Sequence, residues 1–257
     1  MTLEVRNLRV SFGQRTVVAI DALDLGDGEI LGLVGESGSG KSITSLSIIG
    51  LARSLGATVS GSIKLDGREL TTLGEREWRE LRGDRIAMIF QAPISSLNPV
   101  MRVGDVFVRA LRLHGASRAQ ARDRARRAME EVVLSPQLLA RYPHQLSGGQ
   151  AQRVAIAMAV ALRARVLLAD EPTSALDVTV QAEILSLIGR MRLEEGISVL
   201  FVSHDLAVVA GLCDRVAIMR AGQIVESGAT AATLRAPATE YGRELIAAVP
   251  RLGDAHA

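Results

Sequence analysis

The stretch Glu29-Ile30-Leu31-Gly32-Leu33-Val34-Gly35-Glu36-Ser37-Gly38-Ser39-Gly40-Lys41-Ser42 decides how the rest of the chain is read. Its first six residues form a nearly continuous apolar run, the pattern of a strand buried on both faces. Residues 35 to 42 then follow the spacing G-x-x-x-x-G-K-[ST], and Ser42 to Leu51 reads as a helix. Glycines let such a turn curl until its N–H groups face inward, and the helix behind it directs its positive end at the same point. Gly35, Glu36, Ser37, Gly38, Ser39, Gly40, Lys41 and Ser42 are therefore expected to cradle the phosphates of ATP. Lys41 is assigned to the β- and γ-phosphates and the Ser42 hydroxyl to Mg2+. A Gly/Ser-rich turn arising by chance would need neither the strand before it nor the helix after it.

Composition sharpens the assignment of Lys41. Of 30 basic residues, 28 are Arg, and Lys41 and Lys64 are the only lysines. In so Arg-rich a chain, a lysine at this position points to a need for a compact ammonium that a forked guanidinium does not meet.

Upstream of the loop, Leu3 to Leu8 alternates as a strand; downstream, Gly61 to Gly67 reads as a hairpin strand ending in a turn, and Ile86 to Phe90 as another apolar strand. From Val103 to about Arg141 the pattern is helical, with Ser117 as an N-cap. Strand and helix then alternate through Val166–Ala169, Val180–Glu194, Ser198–Val202 and Arg215–Met219. That order predicts an α/β protein with a mainly parallel sheet.

At 257 residues and 48% apolar content the chain has ample material for a packed core. Thirty basic residues stand against 28 acidic ones, so despite a pI near 9.1 the overall field is not that of a nucleic-acid binder. One cysteine, Cys213, and four scattered histidines offer neither a disulfide nor a zinc-like spacing, which suits a reducing cytoplasm. The longest unbroken apolar run, Val154 to Leu162, has nine residues, whereas a membrane-spanning helix needs roughly 20. No spanning helix is expected, so a transport role would require other subunits.

Val166-Leu167-Leu168-Ala169 runs directly into Asp170-Glu171, which sets two carboxylates at the carboxyl end of a buried strand, where such sheets bind ligands. Asp170 is expected to hold Mg2+ through its water shell and Glu171 to polarise the attacking water. A solvated acidic turn before Pro172 would be the reading if the phosphate loop were absent.

Leu146-Ser147-Gly148-Gly149-Gln150 resembles the signature sequence of the ABC family of ATPases, as does the wider stretch Gln145 to Val154. Ser147 with two consecutive glycines at a helix start makes a second anion site of exposed N–H groups. The remaining markers follow in the family's order. Gln91 resembles the Q-loop residue, Ser174-Ala175-Leu176-Asp177 the D-loop and His204 the switch histidine, and the resemblance spans about residues 3 to 230. Phe12, 23 residues before Gly35, resembles the aromatic residue that stacks on adenine.

The resemblance implies a P-loop NTPase core with a mainly parallel sheet, an antiparallel N-terminal β-subdomain and a helical subdomain. It divides the single domain 1–257 into core and β-subdomain (1–91 and 151–228), helical subdomain (92–150) and tail (229–257). It implies that Ser147, Gly148, Gly149, Gln150 and Asp177 serve a nucleotide held by a facing subunit, that Gln91 joins Ser42 and Asp170 at Mg2+, and that His204 contacts the γ-phosphate. Catalysis would then rest on Glu171, His204, Gln91 and Lys41.

Phe90-Gln91-Ala92-Pro93 through Ser96-Leu97-Asn98-Pro99, and Tyr142-Pro143-His144-Gln145, resemble the oligopeptide, dipeptide and nickel importers of that family. So does the tail Pro237 to Pro250, with Tyr241 and Leu245. The chain departs from that branch at Gln150, where Met is frequent, at Thr239-Glu240, where His-Pro is common, and in lacking a C-terminal cysteine cluster. The resemblance implies an importer ATPase subunit, for peptides or alternatively nickel, peripheral on the cytoplasmic face of the inner membrane. Its implied partners are a second ATPase subunit, related or identical, two membrane permeases and, indirectly, an extracytoplasmic solute-binding protein, with no nucleic acid.

A DNA-repair or chromosome ATPase is the rival from another class, but such heads usually carry long coiled-coil or zinc insertions, and no heptads occur here between the phosphate loop and the signature. A non-hydrolysing accessory protein is disfavoured by an intact Glu171 and His204. Arg118, Arg122, Arg124, Arg126 and Arg127 are interleaved with Asp123, Glu130 and Glu131, which reads as a solvated helix face. Trp78 reads as a packing anchor between Leu73 and Leu81, and His114, His144 and His256 carry no functional signal.

Overall fold

The computed structural model describes residues 3–91 and 97–248. Of the expected stretches, Ala92 to Ser96 and the tail from Val249 on, with Pro250 and His256, lie outside the described residues. The strands are β1 (Leu3–Phe12), β2 (Arg15–Leu25), β3 (Ile30–Val34), β4 (Thr58–Leu65), β5 (Arg68–Glu69), β6 (Ile86–Ile89), β7 (Val166–Asp170), β8 (Ser198–Ser203), β9 (Arg215–Arg220) and β10 (Gln223–Ala229). The helices are α1 (Lys41–Ile48), α2 (Glu75–Leu81), α3 (Val103–Leu113), α4 (Arg118–Glu131), α5 (Gly148–Leu162), α6 (Val178–Glu195), α7 (Leu206–Leu212), α8 (Thr230–Arg235) and α9 (Glu240–Ala247). By internal contact the chain divides into two compact units, Met1–Thr72 with Leu200–Ala257, and Leu73–Val199.

In the first unit an antiparallel sheet runs in the order β2-β1-β4-β5. Leu3, Val5, Leu8 and Val10 of β1 are buried, and the polar residues between them face outward, as a half-buried strand requires. Arg6 pairs with Asp24 and Arg9 with Asp21 on the more exposed face. The Asp66-Gly67 turn, both residues at positive φ, closes the β4–β5 hairpin. The unit's other strands follow the order β10-β9-β3-β8. All five residues of β3 are buried, matching the continuous apolar run, and β9 lies parallel to it with Leu31 opposite Arg215 and Val34 opposite Ile218.

In the second unit β6 and β7 pair in parallel, Ile86 opposite Val166 and Ile89 opposite Ala169, and α3, α4 and α5 pack on one another. The helical pattern expected over Val103 to Arg141 resolves into α3, α4 and a 3-10 turn at Pro136–Ala140. The break falls at Gly115, at φ 83, and Ser117 caps α4 by accepting the Gln120 N–H at 3.2 Å. Ala121, Ala125, Ala128 and Met129 make the buried stripe of α4. Its arginines face outward, and Arg127 pairs with Asp123 at 2.6 Å, four residues earlier. In α5, Val154, Ile156, Ala157, Ala159 and Val160 are buried, as the apolar run predicts. Trp78 is 5% exposed with the Arg82 guanidinium over its ring, so it does anchor its helix. Among the described residues no helix is long and apolar enough to cross a membrane.

Candidate functional site

In the first unit, β3 delivers the chain into Gly35 at φ 150, and a Cβ there would stand 2.1 Å from the Met219 carbonyl oxygen at the end of β9. Gly38 and Gly40, at φ 78 and 107, continue the curl. Lys41 is 6% exposed, and its ammonium donates to the Gly35 carbonyl at 2.7 Å and to that of Glu36 at 2.8 Å. A buried ammonium has to be paired or hydrogen-bonded, and the loop's own carbonyls meet that need here. Ser39 donates its N–H to the Glu36 carbonyl at 3.2 Å, and its own carbonyl accepts the Gly222 N–H at 2.8 Å. At the start of α1, Gly40 supplies no side-chain cap and the helix's own first turn holds no acidic residue to offset its positive end. Ser42 lies half-buried in that turn.

Phe12 sits half-buried at the end of β1, in the hairpin with β2. That hairpin packs on the loop: the Val17 carbonyl oxygen and Val18 Cγ2 lie 3.2 Å from where a Gly40 Cβ would stand. His204 is exposed directly after β8, and Asp205 beside it caps α7 through the Ala207 and Val208 N–H groups at 2.9 and 3.2 Å.

In the second unit, β7 carries Asp170, 4% exposed, to its carboxyl end. Glu171 follows at φ 47, a left-handed conformation unusual outside glycine and a recurrent feature of functional sites. Gln91 Nε2 donates to Glu171 Oε2 at 3.2 Å, so two candidates 80 residues apart meet. The turn behind them is tied down: the Glu171 carbonyl accepts from Ser174 N and Oγ at 3.3 and 3.1 Å, and the Pro172 carbonyl accepts from Gln152 Nε2 at 2.8 Å.

Ser147 caps α5 in a capping box: its Oγ accepts the Gln150 N–H at 3.3 Å, and Gln150 Oε1 accepts the Ser147 N–H at 3.1 Å. Ser147 and Gly148 are exposed, and a Cβ on Gly148 would meet nothing within 4 Å. Gly149 lies against the Ala175-Leu176 turn, where a Cβ on it would stand 3.5 Å from the Ala175 carbonyl oxygen, which brings the signature and D-loop candidates together. Asp177 caps α6, accepting the Val180 N–H at 3.0 Å.

Three supporting residues were not predicted from sequence. Met219 walls the phosphate loop at Gly35, Gln152 holds the turn after Glu171, and Tyr241 donates no sequence signal of its role, yet its hydroxyl accepts the Glu36 N–H at 3.2 Å. For Gln152 the sequence offers only its place just before the apolar run Val154 to Leu162, and the structure shows it fully buried.

The family model described as ABC transporter matches residues 9–174. The oligopeptide transport ATP-binding protein OppD of Salmonella typhimurium is 45% identical over 257 residues, covering 97% of this chain and 76% of that protein. The glutathione import ATP-binding protein GsiA of Salmonella typhimurium is 46% identical over 264 residues, covering 98% of this chain but only 42% of that longer protein. Among solved structures, the dimeric post-hydrolysis state of the ATP-binding cassette MJ0796 bound to ADP and Pi superposes with a TM-score of 0.79 at 28% identity, over 89% of this chain and 98% of that one.

Proposed function

The chain belongs to the ABC transporter family as an ATP-binding ATPase subunit, and from that premise we propose that it powers peptide import from the cytoplasmic face of the inner membrane. The observation that carries this reading is the loop at Gly35 to Ser42, with a buried ammonium at its centre and an uncapped helix start behind it. Such a donor set suits the phosphates of a nucleotide. Lys41 leaves the loop carbonyls for the β- and γ-phosphates, the loop N–H groups hold the β-phosphate, and Phe12 stacks on the adenine.

Ser42 through its hydroxyl, Gln91 through its amide oxygen and Asp170 through the ion's water shell would hold Mg2+, a donor set of hard oxygens that suits this ion. When bound, Mg2+ neutralises charge on the β- and γ-phosphates. Glu171 polarises a water for in-line attack on the γ-phosphorus, the bond to the bridging oxygen breaks, and ADP leaves with phosphate. The Gln91 hydrogen bond orients the Glu171 carboxylate, and His204 steadies the γ-phosphate. The exposed Ser147 and Gly148 at the start of α5 receive the γ-phosphate held by a second subunit, related or identical. The dimeric state of the similar cassette with ADP and Pi supports this arrangement.

The oligopeptide and glutathione importers among the relatives favour a peptide cargo. With no helix among the described residues able to cross a membrane, two permease subunits supply the path, fed by an extracytoplasmic binding protein. Titration of Lys41→Ala with ATP tests the core of the reading. Binding should fall by at least about 100-fold with the fold intact, and unchanged affinity would refute the role of Lys41.

A further inference from the structure

We propose that Tyr241, on the C-terminal helix α9, is a positioning residue for the phosphate-binding loop, acting through the backbone of Glu36 on Lys41. The inference rests on the nucleotide reading of that loop. The family match ends at residue 174, so nothing in it assigns a role to α9.

Three hydrogen bonds meet at Glu36, one from the Ser39 N–H to its carbonyl at 3.2 Å and two that link Tyr241 to Lys41. The Glu36 N–H donates to the Tyr241 hydroxyl at 3.2 Å, and its carbonyl accepts the Lys41 ammonium at 2.8 Å. The Glu36 N–H shares a planar peptide unit with the Gly35 carbonyl, so fixing the N–H orients that carbonyl, which accepts the Lys41 ammonium at 2.7 Å. Glu36 itself is exposed in a glycine-rich loop, and the Tyr241 hydroxyl holds the N–H side of a residue whose carbonyl is held by Lys41 and Ser39.

The tyrosine is itself held firmly. It is 4% exposed, and the Arg220 guanidinium lies over its ring, 4.6 Å from the centroid. Arg220 follows Met219, whose carbonyl walls Gly35, so the end of β9 contacts both the loop and the residue that restrains it. The start of α9 is fastened to β10 by Glu226, which accepts from Ala238 N at 2.7 Å, Thr239 N at 3.0 Å and Thr239 Oγ1 at 2.7 Å. Thr239 in turn caps α9 through the Gly242 N–H at 3.0 Å. Burial alone would raise the Glu226 carboxyl, yet those hydrogen bonds hold it below the ordinary carboxylate range.

Tyr241→Phe keeps the ring and its packing but removes the acceptor. In the full-length chain, ADP titration should show the Kd raised about 3- to 10-fold, the range expected for one lost hydrogen bond. Exchange protection of the Glu36 amide in the nucleotide-free protein should fall by a similar factor, while the unfolding midpoint stays within about 2 °C. Glu226→Gln, which loosens α9 and leaves the tyrosine in place, should weaken ADP binding in the same direction and add nothing beyond Tyr241→Phe. This second variant also decides the question if the first fails to fold. A Kd within 2-fold of wild type, unchanged Glu36 protection, or fully additive effects of the two substitutions would each overturn the proposal. Failure of the wild-type chain to bind ADP would instead refute the nucleotide reading, and the positioning role would fall with it.

Discussion

Replacing Gln152 tests whether the turn that presents Glu171 is held from beneath. Gln152 is fully buried in α5; its Nε2 donates to the Pro172 carbonyl at 2.8 Å, and its Oε1 has no partner among the described residues. Gln152→Met conserves length and roughly conserves volume. It strands the Pro172 carbonyl, at a cost of about 1–3 kcal/mol, and removes an unsatisfied buried acceptor, which returns about 1–3 kcal/mol. The two nearly cancel, so urea unfolding of the nucleotide-free chain should move by less than about 1 kcal/mol. Gln152→Glu has the same size but opposes a carboxylate to the Pro172 carbonyl and cannot donate when ionised, so it should cost about 3 kcal/mol or more at neutral pH. Hydrolysis should separate from stability. With its tether lost, the turn that holds Glu171 in a left-handed conformation loosens, and kcat of Gln152→Met should drop about 10- to 100-fold. A Met variant destabilised by more than about 3 kcal/mol would refute the cancellation, and a Glu variant as stable as wild type would refute the donor role.

Glu171→Gln keeps the side chain's shape and removes its charge, so ATP should still bind while hydrolysis falls by at least about 100-fold and a closed dimer accumulates in size-exclusion chromatography; full hydrolysis would sink the assignment. Adding Ser147→Arg should prevent that dimer, with or without a related ATPase partner, while each chain still binds ATP, and a dimer that still closes would count against the second anion site. Acid stability should report Glu69. Burial would raise its carboxyl, but the hydroxyls of Ser62 and Thr71 and the N–H groups of Thr71 and Ile63 lower it from 4.5 to about 2. Its stabilising contribution is therefore complete above about pH 4.5 and lost as the pH falls toward 2. Glu69→Gln should be less stable than wild type at pH 7, with the gap closing toward pH 2, and a gap independent of pH would contradict this.

Much of the fold and most candidate residues could be read from the sequence, because the signals are local. An apolar run followed by G-x-x-x-x-G-K-[ST] fixes strand, turn and helix start within 14 residues, and Ser117 announces its capping role by its place before a helical pattern. The same locality shows in Ser147, Asp177 and Asp205, each a side chain that accepts from an N–H two or three residues on. The break within the expected helical stretch is local too, but a Gly before a Ser N-cap competes with strong flanking helical periodicity.

Only the tertiary structure decided the long-range ties, for which no spacing rule exists. Gln91 meets Glu171 across 80 residues, the Gln152 amide reaches the carbonyl 20 residues ahead, and Tyr241 bonds an N–H 205 residues before it. In each case at least one side of the contact is a side-chain amide or a phenol whose bland reading, a solvated Gln or a packed tail aromatic, fits the sequence equally well. What selects among these readings is the parallel pairing of β3 with β9 and of β6 with β7. Pairing sets which strand ends lie side by side, and those ends are where the chain leaves the sheet with its candidate site residues.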